Sequence, residues 1–326
     1  MKEFILNLKD KILKGESIAF DEALKLIKID ENDTCSLNVL FESANEIREN
    51  LVGKKADLCI ILNAKSGRCS ENCKFCAQSA HYNTGVLEYD LLEYSEVLEK
   101  ALEAKENGVH RFSLVTSGKG VDKDEDIEKL AKIYERLSKD VGIELCASHG
   151  ILTYRQAKTL KEAGVITYHH NVETSKNHYK NICTTHTYED RVKTIENAKK
   201  AGLHVCCGGI IGMGESLEDR INMAFEIKSL GIKSVPVNVL TPIKGTPLEN
   251  LEVLSPMEVL KTMAVYRFIL PDCYIRYAGG RMALKDKQAL GFKAGINAAL
   301  TGNYLTTTGS DVKKDKAMIM EAGFTI

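Results

Sequence analysis

Apolar positions recur at helical spacing through Phe4–Leu13 and Phe20–Ile27. The first 50 or so residues therefore read as helix, with Asp21 and Ser43 as cap positions. From residue 57 the period changes. Short β-rich runs at 57–63, 110–116, 142–148, 165–173, 203–210, 232–240, 273–279 and 295–300 alternate with amphipathic stretches at 95–107, 124–139, 154–163, 188–201, 217–230 and 256–269. Strand–helix alternation implies right-handed crossovers and a parallel sheet. Eight strands over about 270 residues suit an α/β fold of the closed (β/α)8 TIM type, with an open doubly wound sheet as the competitor. The expected organisation is an N-terminal helical extension over 1–50, covering one end of a barrel that spans 51–326 and includes a C-terminal segment.

Side chains of barrel strands alternate between the lumen and the helix layer. The apolar parity assigns Leu58, Ile60 and Leu62 outward, so Cys59 and Asn63 point in. By the same rule Arg111, Ser113, Glu144, Cys146, His204, Cys206, Ser234, Asn238 and Arg276 point in. Ordinary barrel interiors are filled with Val, Ile and Leu. A polar, sulfur-bearing lumen indicates a reaction chamber.

Composition narrows the classes. The net charge of the 326 residues is −1, which gives no electrostatic reason to expect nucleic-acid or anionic-membrane partners. No apolar run approaches the roughly 20 residues of a membrane span. The N-terminus shows no signal-peptide pattern, so a cytoplasmic protein is expected. Ten cysteines in a reducing compartment point to metal or cluster ligation rather than disulfides. Cys35, Cys183, Cys207 and Cys273 are expected to be small buried hydrophobes.

Cys69, Cys73 and Cys76 lie within eight residues, directly after the first strand. A cuboidal 4Fe–4S cluster normally takes four thiolates. Three leave one iron open to a small molecule, as a catalytic site requires. A zinc site with His81 as fourth ligand is the alternative, although the spacing differs from that of zinc ribbons.

The Cys69-x-x-x-Cys73-x-x-Cys76 loop in this position resembles that of the radical S-adenosylmethionine (SAM) superfamily. The resemblance implies that the open iron binds the amino and carboxylate groups of SAM. One electron then breaks the S–C5′ bond to give methionine and a 5′-deoxyadenosyl radical. Phe75 matches the aromatic position near the adenine.

Within the superfamily, residues from about 50 onward resemble biotin synthases. The landmarks are Tyr168-His-His-Asn-Val-Glu-Thr-Ser175, Thr184-Thr-His-Thr-Tyr-Glu-Asp-Arg191, Cys206-Cys-Gly-Gly-Ile-Ile-Gly-Met-Gly-Glu215, Ser234-Val-Pro-Val-Asn-Val-Leu240, Gly245-Thr-Pro-Leu248 and Ile275-Arg-Tyr-Ala-Gly-Gly-Arg281. The resemblance implies that Asn171 and Glu173 bind the SAM ribose, that Arg191 lies near the SAM carboxylate, and that a Gly208–Gly212 turn approaches the adenine with Ile210 packed on it. It implies that Asn238 bonds the ureido ring of dethiobiotin. His169 stands where asparagine is usual, which modifies the substrate pocket. No protein side chain is expected to act as an essential general base.

The same resemblance implies a second cluster deep in the barrel that donates sulfur to the product. Its commoner ligand pattern is three cysteines and one arginine. Cys146, Cys206 and Arg276 match three of those positions, but the fourth is Ser113, and a serine hydroxyl is a poor replacement for a thiolate. Inward-pointing Cys59 is the expected compensation. Together with Cys146 and Cys206, and with Arg276 and Arg111 nearby, it suits a 4Fe-type cluster with an extra sulfide, resembling the variant form of strict anaerobes; the standard alternative is 2Fe–2S. Cys207 is the alternative ligand, with the wrong parity. A flavodoxin- or ferredoxin-type electron donor and a homodimer are implied by the family. Relatives resembling methylornithine synthase or the hydrogenase-maturation enzyme, which lack sulfur insertion, are the alternative within the superfamily. A non-catalytic metal-binding protein is the alternative outside it.

Overall fold

The strand–helix alternation closes into a barrel. The structure is a computed structural model and describes residues 1–121, 124–302 and 309–326. Three helices come first: α1 (Lys2–Leu13), α2 (Phe20–Ile27) and α3 (Thr34–Leu51). The barrel follows as β1 (Asp57–Lys65), α4 (Tyr94–Glu106), β2 (Arg111–Thr116), α5 (Asp124–Asp140), β3 (Glu144–Ser148), α6 (Tyr154–Glu162) and β4 (Val165–His169). It continues with α7 (Lys176–Ile182), α8 (Tyr188–Lys200), β5 (His204–Cys206), β6 (Gly209–Ile211), α9 (Leu217–Ser229), β7 (Ser234–Val239), α10 (Pro256–Ile269) and β8 (Tyr274–Tyr277). A 3₁₀ segment (Arg281–Lys287), α11 (Gln288–Phe292), β9 (Ala298–Thr301) and α12 (Val312–Glu321) complete the chain.

Every described strand pairing in the sheet is parallel, β1 pairs with both β2 and β9, and β5 and β6 both pair with β7. β5 and β6 are two halves of one barrel strand, so the ring is eightfold and closed. The continuous strand expected at 203–210 breaks for a steric reason. A Cβ on Gly208 would lie 1.8 Å from the Pro236 carbonyl oxygen, and one on Gly209 would lie 2.5 Å from that of Glu173. Only glycine lets neighbouring backbone approach so closely. The expected Gly208–Gly212 turn is therefore a strand break followed by β6. The strand expected at 165–173 stops at His169, and Asn171 and Glu173 lie beyond it in a loop where Glu173 takes a left-handed φ of +69°.

Hydroxyl side chains start many of the barrel helices. Thr153, Thr187, Ser216 and Ser255 accept from the backbone N–H three residues on, and the first three do so in reciprocal capping boxes. In the N-terminal segment the cap of α3 is Asp33, whereas the expected cap Ser43 is buried in mid-helix and Asp21 lies inside the first turn of α2.

The outward parity set builds the core. Leu58, Phe112, Leu114, Leu145 and Ile275 are buried against the helix layer; each such side chain is worth about 1.5–3 kcal/mol of burial. α10 is buried on all faces from Val259 to Ile269. A helix buried all round needs cover on its outer side, and α2 and α3 supply it. Lys261 donates to the Ile29 carbonyl at 2.8 Å and Ser255 to Glu31 at 2.6 Å. The N-terminal helices thus lie along the flank of α9 and α10, packing on helices where cover over one end was expected. Among the described residues, no helix is long and apolar enough to cross a membrane.

Candidate active site

The cysteine loop leaves β1 at its C-terminal end, where barrel active sites form. Backbone bonds fold it back on itself: Cys69 N–H donates to the Gln78 carbonyl at 3.0 Å and Ala80 N–H to that of Cys69 at 2.8 Å. The turn into it needs Gly67, whose φ is +77° and whose missing Cβ would lie 2.6 Å from Glu88 Cγ. Cys69 and Cys73 are buried and Cys76 partly so. All three line one cavity of about 180 Å³, with Phe75, Asn171, Glu173 and Arg191 on the same wall. His81, the candidate zinc ligand, is instead exposed, with Nε2 3.0 Å from the Ser70 carbonyl.

The polar wall is organised before any ligand arrives. Arg191 donates to the Asn171 carbonyl at 2.9 Å and to Tyr179 Oη at 2.7 Å, and its guanidinium lies 3.3 Å from Glu173. Burial would lower its pKa, but Glu173, Tyr179 and Cys73 together outweigh this and hold it above its usual value. Asn171 receives Gly208 N–H at 3.0 Å and donates to Glu173 at 3.3 Å. The strand break at Gly208 is therefore what fixes the Asn171–Glu173 pair. On the same cavity, Ser117 Oγ and His170 Nε2 are buried polar atoms with no protein partner. Buried polar atoms of this kind normally have partners. Together with three gathered thiols, they fit a cluster and its polar ligand.

A second cavity of about 310 Å³ fills the lumen and shares Phe75, Val115, Ser148, His169, Asn171 and Glu173 with the first. Cys59, Ser113, Cys146, Cys206, Asn238 and Arg276 all line it, as parity required, and so does Ile210. Cys207 is buried outside it. Cys146 beside it and the Arg276 charge lower the Cys59 thiol, whereas Cys59 and burial raise that of Cys146. Burial would raise the Cys206 thiol, but its bond to His169, with the charges of His169 and Arg276, brings it below its usual value. Ser234 donates to the same sulfur at 3.3 Å.

Arg276 is anchored at the base of the lumen. It pairs with the Asp57 carboxylate and donates to the carbonyls of Asp57 and Ala299 at 3.1 and 3.2 Å. Arg111 lies 3.2 Å from Asp57 and 2.9 Å from Glu144. Burial would raise the Asp57 carboxyl, but the two arginines hold it below the usual range. Glu144 and His204, expected inside, face a cleft at the N-terminal end of the barrel, with Arg111 in the partition between cleft and lumen. Asn238 donates to the Gly209 carbonyl at 3.0 Å and accepts Gly279 N–H at 2.9 Å. Its second N–H and second lone pair remain for a ligand.

Four features escaped the sequence reading. Ser117–Lys119, at the C-terminal end of β2, lines the cluster cavity, a position that barrel logic marks. Asp57, in phase with Cys59, anchors both arginines. Cys35 is exposed. Cys183 is no inert hydrophobe: it lies beside Cys73, Asn72 and His186.

A closed parallel barrel with a three-cysteine loop over a polar pocket at its C-terminal mouth is the architecture of a radical SAM enzyme, and the model of the radical SAM superfamily matches residues 64–227. The cofactors are accordingly a 4Fe–4S cluster and SAM. The model of the biotin and thiamin synthesis associated domain matches residues 236–325. The chain belongs to the biotin synthase family. It is 58% identical over 324 residues to the biotin synthase of Clostridioides difficile, covering 99% of each chain. It is 55% identical to that of Acetivibrio thermocellus, covering 99% of this chain and 100% of the relative. Among solved structures, methylornithine synthase superposes with a TM-score of 0.84 at 21% identity, over 98% of this chain and 96% of that one. The FeFe-hydrogenase maturase of Carboxydothermus hydrogenoformans gives 0.81 at 21%, over 99% and 79%. These two share the fold; the whole-length relatives separate this chain from them.

Proposed function

We propose that this enzyme makes biotin from dethiobiotin by inserting sulfur drawn from an auxiliary cluster on Cys59, Cys146 and Cys206, with Arg276 beside it. The observation that carries this reading is the convergence of those three cysteines in the lumen that adjoins the SAM cavity. Cys69, Cys73 and Cys76 hold the 4Fe–4S cluster. When bound, that cluster supplies the electron that splits SAM into methionine and the radical that removes hydrogen from unactivated carbon.

The chain's own residues bind and orient. Asn171 and Glu173 present side-chain acceptors to the ribose diol, Phe75 and Ile210 supply apolar surface for the adenine, and Arg191 stands ready for the SAM carboxylate. Asn238 offers one free N–H and one free lone pair to the ureido group of dethiobiotin, and His169 borders both substrate and Cys206. A substrate against the shared wall would lie between radical source and sulfur source. No side chain needs to remove a proton from carbon.

The test is an anaerobic reaction of cluster-reconstituted enzyme with SAM, a strong reductant and dethiobiotin, read by mass spectrometry. Biotin together with 5′-deoxyadenosine supports the reading. Deoxyadenosine without biotin, from protein carrying no labile sulfide beyond one 4Fe–4S, overturns it in favour of a barrel without sulfur insertion, which Ser113 would then explain.

A further inference from the structure

The segment after α7 is zipped to the cysteine loop. Lys74 N–H donates to the Ile182 carbonyl at 3.0 Å, and Asn72 Oδ1 accepts the N–H groups of Thr184 and Thr185 at 2.9 and 3.3 Å. The zipper brings Cys183 and His186 to Cys73. One ligand atom from each of the three residues lies within 4.8 Å of the others, and all three residues are buried. His186 Nδ1 is held by the Glu71 carboxylate and lies 3.3 Å from Cys183 Sγ, and Nε2, free of the carboxylate, lies 4.0 Å from the same sulfur. A carboxylate on one imidazole nitrogen leaves the other as a ligand in a fixed orientation, the arrangement that surrounds protein-bound transition metals.

We propose that the cluster-free enzyme binds a single divalent cation of the zinc or iron(II) class on Cys73, Cys183 and His186 Nε2, with Glu71 behind the imidazole. Two thiolates and one imidazole suit such borderline-soft ions. Binding displaces the two thiol protons to solvent, and a fourth coordination position stays open to water. Cys73 serves either this ion or the SAM cluster, so the two occupancies exclude each other. Zinc here blocks cluster assembly, whereas iron(II) here puts the first metal atom on a loop cysteine. The site depends on assigning Cys73 to the cluster but not on what the loaded enzyme makes.

The test uses cobalt(II) as the probe, on full-length, cluster-free protein under anaerobic conditions, in a C59A/C146A/C206A background that silences the lumen thiols. The site predicts one cobalt per chain with strong visible bands of tetrahedral geometry and a near-ultraviolet thiolate band. The additional C69A/C76A change should leave both, since Cys73 alone of the loop is needed. C183A, C183S and H186A should each weaken binding at least tenfold, with melting temperatures showing that the chain is folded. Zinc added first should slow cluster reconstitution, followed by absorbance, in the unsubstituted enzyme but not in C183A. The proposal is overturned if folded C183S and H186A titrate like their parent, or if the tetrahedral bands vanish in C69A/C76A.

Discussion

Cys59 on β1 and Cys146 on β3 line the same lumen on either side of strand β2, which contributes Ser113 to it. On the proposed function, a thiolate on β1 takes the place of the one missing from β2. C59A should therefore cost the enzyme its auxiliary iron and sulfide while sparing the 4Fe–4S cluster. Expected are biotin formation reduced at least a hundredfold and retained SAM cleavage, measured by iron and labile-sulfide counts and by 5′-deoxyadenosine. Normal biotin yield from C59A would exclude it as a ligand.

Glu173 balances a buried arginine. Removing one partner of a buried pair strands the other charge, at about 3–5 kcal/mol. E173Q should lower the stability of the cluster-free chain by about 3 kcal/mol in urea unfolding, toward the low end of that range because amide and backbone partners of Arg191 remain. SAM affinity should fall with it. An unchanged unfolding midpoint would show that Glu173 does not hold Arg191.

Asn238 is tied to backbone by one bond at each end of its amide, and only the spare donor and acceptor can reach substrate. N238A leaves the ureido group short of partners, at about 1–3 kcal/mol. KM for dethiobiotin should rise roughly tenfold to a hundredfold. The variant must still load both clusters, which absorbance would verify.

His149 lies fully buried between Thr116 and Tyr134, at 2.9 Å from each hydroxyl oxygen. Burial depresses its pKa from 6.5 to about 3. The unfolded chain then binds the extra proton between those values, so stability is complete above pH 6.5 and is lost as pH falls towards 3. The slope from this group approaches roughly 1.4 kcal/mol per pH unit. Urea midpoints of the cluster-free chain at pH 5, 6 and 7 should show a slope that H149Q flattens.

A Cβ at position 208 would collide with the Pro236 carbonyl, and backbone cannot swing aside as a side-chain tip can. G208A should destabilise the chain by about 3 kcal/mol and disturb the Asn171–Gly208 bond. Melting temperature and SAM affinity should therefore fall together. A drop in the first alone would dissociate the strand break from the cofactor wall.

Much of this was readable from periodicity. Apart from the fourth strand, which stops four residues early, and the split fifth, the β-strands sit within two or three residues of the expected runs because alternation in a barrel has one apolar partner, the helix layer. The same alternation placed Cys59, Cys146, Cys206 and Arg276 in the lumen. Two kinds of feature were not readable. The split of the fifth strand depends on Pro236 and Glu173 arriving from elsewhere in the chain. The pairing of Cys183 and His186 with Cys73 and Glu71 joins loops more than 100 residues apart, for which local spacing carries no signal. Ser43 misled as a cap because α3 begins well before it.

The Arg276–Asp57–Arg111 bridge has a consequence for logistics. It seals the base of the lumen, leaving a flask with its neck at the cysteine loop. A flask must be filled from the bottom upward. On the proposed function, iron and sulfide for the deep site would go in first, dethiobiotin over them, and SAM last as the stopper. On the same reading emptying would run in reverse, methionine and deoxyadenosine clearing the neck before biotin leaves or another load of sulfur is delivered.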